Sequence, residues 1–100
     1  DGVSTTIQLA NYWANPDGTY SYQMNVKVAN DRTTRLRNWE TIITFSENVE
    51  ISKSWDCECT ADGETLTADG DSIPSGSMTK FGFVIIAPQG LTVEDIVTEY

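Results

Sequence analysis

From residue 20 to residue 29 the chain alternates without a break. Tyr20, Tyr22, Met24, Val26 and Val28 take one parity, and Ser21, Gln23, Asn25, Lys27 and Ala29 take the other. Side chains leave a strand on alternate faces, so this segment has one apolar face and one mostly polar face. That is the pattern of a half-buried antiparallel strand, whose apolar face needs a second layer to cover it.

The rest of the chain supplies that layer in short pieces. Residues 3–10 read as a strand with Val3, Thr5, Ile7 and Leu9 on one side, running into Asn11-Tyr12-Trp13. Asn15-Pro16-Asp17-Gly18 is a turn, because Pro presets one dihedral and Gly accepts a positive φ. Residues 36–45 form a third strand, with Trp39, Thr41, Ile43 and Phe45 on one face. Residues 49–59 form a fourth, and period two places Val49, Ile51, Lys53 and Trp55 on one side of it. Ala61-Asp62-Gly63-Glu64 is a hairpin signal leading into a short fifth strand at residues 65–67. Residues 78–87 make the sixth, with Phe81, Phe83 and Ile85 alternating against Lys80, Gly82 and Val84. Residues 91–97 fit either a last strand or a short helix. Six or seven strands between turn signals predict an all-β fold, an antiparallel β-sandwich of jelly-roll or immunoglobulin-like type. One hundred residues suffice for one such domain and one core, so residues 1–100 are expected to be a single module.

Charge narrows the partners. Six basic residues against 15 acidic ones give a formal net charge of -9. A phosphate backbone or an anionic membrane surface would be repelled, so nucleic acid and membrane are excluded and neutral partners remain. No apolar run reaches the length of a membrane span, and Asp1-Gly2-Val3-Ser4 is no signal peptide. The chain therefore reads as a module cut from a longer one.

Catalytic chemistry finds little support. Without histidine there is no Ser-His-Asp or Cys-His arrangement, and no ligand set for zinc. Cys57 and Cys59 stand two apart with Cα atoms roughly 6.5–7 Å apart on a strand, at the limit for a bridge. Two free, partly buried thiols or one strained local disulfide both fit. Asp56 and Glu58 beside them raise a thiol pKa, which argues against an activated nucleophile. The carboxylates are scattered, and Asp69-Gly70-Asp71 and Asp62-Gly63-Glu64 lack the spacing of a calcium loop. No catalytic residue, metal or cofactor is expected.

The tryptophans remain. Trp39 shares its face with Ile43 and Phe45 and reads as core. Trp13 ends a strand before a turn, and Trp55 stands where an apolar face turns polar. Each is either the last part of the core or a plate held out to solvent. Two exposed indoles would form a flat strip, and the C–H faces of sugar rings pack on such planes. That contact needs no cation, which suits the acidic chain.

The order of landmarks resembles carbohydrate-binding modules of family 2, small β-sandwiches attached to bacterial cellulases and xylanases. The likeness runs from about Ile7 to Phe83. It is carried by Asn11-Tyr12-Trp13, Met24 through Asn30, Asn38 through Phe45, Val49 through Trp55, Gly63 through Thr67, and Ser72-Ile73-Pro74-Ser75-Gly76 leading to Phe81-Gly82-Phe83. The resemblance implies a row of aromatic plates on β-1,4-linked glucan, with Trp13 and Trp55 as plates. Asn11 and Asn25, with Tyr12, would be polar contacts, and Trp39 the core tryptophan. Lys53 stands where the family has Gln, Asp69 where it has a third plate, and Val84 where it has a further polar contact. The disulfide joining the family's termini is missing. These departures make the chain look more like family 79, found in cellulosomal cellulases of anaerobic bacteria. That likeness implies binding of mixed-linkage β-glucan, xyloglucan, glucomannan and amorphous cellulose. It also implies a secreted, monomeric module of a larger multi-domain enzyme, targeting a glycoside hydrolase to plant cell wall polysaccharide. The rivals are a structural or adhesive β-sandwich of a secreted or cell-surface protein, with Trp13 and Trp55 buried or ungrooved, and a small hydrolase.

Overall fold

The alternating segment lies in the middle of a four-stranded sheet. A computed structural model describes residues 2–100. Its strands are β1 (Val3–Ala14), β2 (Tyr20–Asn30), β3 (Glu40–Phe45), β4 (Glu50–Trp55), β5 (Glu58–Asp62), β6 (Thr65–Asp69), β7 (Met78–Ala87) and β8 (Val93–Glu99). The first sheet has the order β1-β2-β7-β4, the second β5-β6-β3-β8. Neighbouring strands are antiparallel throughout. The two sheets form the β-sandwich expected from the sequence.

The core is the space between them. From the first sheet come Tyr22, Met24, Val26 and Val28 of β2 and Phe81, Phe83 and Ile85 of β7. From the second come Ile43 and Phe45 of β3 and Leu66 and Ala68 of β6. Trp39, just before β3, is 2% exposed, and its Nε1–H donates to the Asp71 carbonyl at 2.8 Å. A buried indole needs such a partner for its one polar atom. Gly70 makes room for it, since a Cβ there would stand 2.5 Å from Trp39 Cζ2. A hydroxyl chain stitches the sheets together: Thr98 of β8 is bonded to Thr5 of β1 at 2.6 Å and to Thr41 of β3 at 2.7 Å.

The structure redraws several boundaries. β1 runs to Ala14, beyond the expected end at residue 10. β3 starts at Glu40 because Asn38 adopts a φ of 52°, which strand geometry excludes. Leu36 instead makes a single bridge to Ile73. The expected fourth strand, residues 49–59, is two strands in different sheets. Asp56, at φ 64°, turns the chain out of the first sheet and into the second. Such a turn favours Asp and Asn, whose short side chains tolerate the left-handed region. Of the two options for residues 91–97, the strand is the one found. The Gly63 hairpin joins β5 to β6 as expected, with Asp62 opposite Thr65.

Candidate functional site

The outward face of the first sheet is polar along β2 because of the alternation that makes its other face apolar. What the edge strands add to that face depends on two bulges. In β1, Leu9 lies opposite Met24, but Asn11 lies opposite Gln23, so two residues advance against one. Strict alternation from Val3 would carry Asn11 and Trp13 onto the core side with Ile7 and Leu9. The extra residue reverses the parity. Trp13 then falls opposite Ser21, among the outward residues. β4 does the same: Ile51 lies opposite Ile85, and Lys53 opposite Val84. Val49 and Ile51 face the core, while Lys53 and Trp55 face out. The expectation that all four share a side is overturned by that added residue. Each bulge ends two residues before its tryptophan, at Asn11 and at Lys53.

Register places these side chains in rows across the sheet. Trp13, Ser21, Ile86 and Glu50 form one row. Asn11, Gln23, Val84 and Lys53 form the next, and Gln8, Asn25, Gly82 and Trp55 the third. Thr6, Lys27 and Lys80 follow. The two indoles occupy opposite corners of three rows, with Asn11, Gln23 and Asn25 between them. At ~4.8 Å per strand and ~3.3 Å per residue their Cα atoms lie ~20 Å apart.

Each corner is built differently. The Trp55 ring lies across the Gly82 backbone: a Cβ on Gly82 would stand 2.3 Å from Cζ2 and 2.6 Å from Nε1. Only glycine admits that approach. The ring is half-buried and walls a groove of about 540 Å³. Gln8, Asn25, Lys27, Asp56 and Lys80 are among the groove's other lining residues. Trp13 is 41% exposed. Its strand is held by the turn beyond it. Ser21 Oγ donates to Asn15 Oδ1 at 3.1 Å, Asn15 Nδ2 donates to Thr19 Oγ1 at 3.1 Å, and the Thr19 N–H and Oγ–H both donate to Asp17 Oδ1. The bond from the Thr19 hydroxyl, with that from its backbone, holds the Asp17 carboxyl below its usual range.

Tyr12 is on the other side of β1. It lies opposite Tyr22, with ring centroids 6.3 Å apart and planes at 19°, and Tyr20 completes the cluster. It lines a pocket of about 360 Å³ with Leu9 and Leu91. The structure thus brings together Trp13, Trp55, Asn11 and Asn25 and leaves Tyr12 out. Asp69 belongs to the second sheet, between Glu58 and Glu40. Val84 is buried in the middle row. Gln23 and Lys27 join the face as β2 alternation already implied, and Gln8 and Lys80 through their register partners.

The thiols lie outside this face. Cys57 and Cys59 are free and half-buried. Cys57 donates to the Asp69 carbonyl. Its pairing with the Cys59 thiol, then burial, pushes its thiol up, while the same pairing lowers that of Cys59. Cys57 therefore stays protonated.

Residues 4–97 match the family described as Cellulose binding domain. Endoglucanase E-5 of Thermobifida fusca is 26% identical over 87 residues, covering 83% of this chain and 18% of that enzyme. The chain thus spans less than a fifth of that relative. Among solved structures, the chitin-binding domain of Chi18aC from Streptomyces coelicolor superposes with a TM-score of 0.71 at 20% identity, over 98% of this chain and 90% of that one. The internal xylan binding domain of Cellulomonas fimi xylanase D gives a TM-score of 0.64 at 22% identity, over 100% and 99%. At such identities the likeness to these two speaks for the fold.

Proposed function

The chain belongs to the Cellulose binding domain family as a non-catalytic carbohydrate-binding module, and from that premise we propose that it binds β-1,4-linked glucan chains along the outward face of its first sheet. The observation that carries this reading is the pair of bulges. Both edge strands add one residue shortly before a tryptophan, and both tryptophans leave the core side for the same face. A sandwich that needed only to fold would gain more by burying two indoles.

In this reading Trp13 and Trp55 stack on pyranose rings at the two ends of a short stretch of chain. Asn11 and Asn25, with Gln23 between their rows, donate to and accept from the sugar hydroxyls. Stacking of nucleic-acid bases on aromatic side chains is worth about 1–3 kcal/mol per base, and sugar stacking is taken to be of that order. Two such contacts, less the cost of association, give roughly micromolar affinity or weaker. Two plates suit a single chain of mixed-linkage glucan, xyloglucan, glucomannan or amorphous cellulose. The endoglucanase relative suggests that the module accompanies a secreted glycoside hydrolase and holds it on cell-wall polysaccharide; attachment to a cellulosome is part of the same proposal.

Affinity electrophoresis in mixed-linkage β-glucan tests the site. Trp13→Ala and Trp55→Ala, each checked for folding by circular dichroism, are expected to lose nearly all retardation. Full retardation of both folded variants refutes the site. Retardation by chitin or xylan but not by glucan would keep the face and change its ligand.

A further inference from the structure

Fixed charge is divided unequally between the two sheets. All three lysines of the chain, Lys27, Lys53 and Lys80, stand in the outward rows of the first sheet. The four strands of that sheet carry one carboxylate, Glu50. The strands of the second sheet carry no base. They bear Glu40 on β3, Glu58 and Asp62 on β5, Asp69 on β6, and Glu94, Asp95 and Glu99 on β8.

The lysines are also placed against one another. Lys27 and Lys80 are register partners on neighbouring strands, and both line the groove beside Trp55. Like charges directly opposite each other weaken a sheet. Among the described residues no salt bridge neutralises either one. Asp56 is the one carboxylate among the groove's lining residues, and Glu50 lies at the far end, in the row of Trp13.

We infer that this groove takes a β-linked polysaccharide carrying uronate carboxylates, with Lys27 and Lys80 holding the carboxylate between them. The inference rests on the stacking reading above, because the indoles hold the backbone from which the carboxylate hangs. A carboxylate accepts at two oxygens, and two ammonium groups roughly 5 Å apart at their Cα atoms can serve one each.

The net charge of -9 argues for a neutral ligand only if it acts as a whole. It does not act so at working ionic strength. The second sheet lies about 10 Å behind the first, and the screening length at physiological salt is about 8 Å. Of its carboxylates, Glu58 and Asp69 line, with Asp71, a neighbouring pocket that Lys80 shares, and among the described residues none of them forms a salt bridge with it. A carboxylate between Lys27 and Lys80 meets the two ammonium groups at contact and those carboxylates across solvent. The contact decides.

A C6-oxidised β-1,4-glucan and the same polymer with its carboxylates methyl-esterified separate charge from shape. At physiological salt the oxidised polymer is expected to bind the protein about three- to tenfold more tightly than its ester, the range that two exposed ion pairs supply. That preference should vanish at about 0.5 M sodium chloride and in the double variant Lys27→Gln/Lys80→Gln. Equal or weaker binding of the oxidised polymer, with retardation by neutral mixed-linkage glucan intact, overturns the inference and leaves the stacking site standing. A protein that binds none of the three polymers removes both. A preference that survives the double variant also overturns the assignment, since the charge would then be read elsewhere.

Discussion

The two sheets share a core and differ in nearly everything they show to solvent. The first displays two indoles, three lysines and the amides of Gln8, Asn11, Gln23 and Asn25. The second has carboxylates on every strand and keeps the third tryptophan inside, at 2% exposure. The difference shows how one residue type acquires two roles. Trp39, just before β3, continues the parity of Thr41, Ile43 and Phe45 into the core, where its N–H finds a carbonyl. Trp13 and Trp55 follow a parity that a bulge has reversed. Sequence neighbours decide what an indole does only through the register of the strand that carries it.

The largest effect that would break this contrast is on stability. Trp39→Ala should cost about 3–5 kcal/mol, as truncation of a buried aromatic does. Trp13→Ala should stay within about 0.5 kcal/mol, as substitutions away from the core do. Urea unfolding of the two variants, followed by circular dichroism, reads both. Comparable losses would mean that the first sheet's indole is a structural element and that the division between sheets is false.

A smaller effect lies in the seat of Trp55. Gly82→Ala puts a methyl 2.3 Å from the ring carbon Cζ2, so the ring must leave the backbone it rests on. The ring then loses its orientation but not its existence. Glucan affinity should fall about tenfold, which is about 1.4 kcal/mol and within the range of one stacking contact. The Trp55 emission should shift to the red as the ring is wetted. Unchanged affinity would show that the plane of Trp55 is not fixed by Gly82. Gly70→Ala is the matching change behind the second sheet, where a methyl 2.5 Å from Trp39 strains the core and should lower stability more than Gly82→Ala does.

The sandwich itself was legible because alternation survives wherever one face is buried. β2 and β7 lie where period two places them, and Trp39, Ile43 and Phe45 are core as read. Asn25 was legible for the same reason, as the outward partner of Met24 and Val26. The parities of Trp13 and Trp55 were not. A bulge leaves no fixed residue signature, and Leu9-Ala10-Asn11 and Ile51-Ser52-Lys53 contain no glycine to announce one. Tyr12 is expected among the polar contacts with Asn11, although neighbours on a strand point to opposite faces and Tyr12 lies opposite Tyr22. The break of residues 49–59 into two strands turned on one left-handed residue, Asp56, in a polar run that reads as continuous strand. Net charge was legible as a sum, but its division between the sheets needed the register of both.

The smallest effect concerns the turn that carries the Trp13 corner. Asp17 is exposed, yet its carboxyl is held low by the hydroxyl and backbone N–H of Thr19. Its folded-state pKa is below its unfolded one, so the folded chain binds fewer protons there. The stabilisation is complete above the ordinary carboxylate pKa of about 3.9 and is lost as pH falls through the depressed folded value. The Thr19 amide resonance should therefore titrate below that ordinary value. Asp17→Asn should abolish the titration, since the amide accepts the same bonds without a proton to gain. The Asn15 and Ser21 side chains, bonded through Thr19, should report the same midpoint, and with them the indole N–H of Trp13. A Trp13 signal that ignores this midpoint would uncouple the plate from its turn. It would leave the bulge in β1 as the sole determinant of where that indole points.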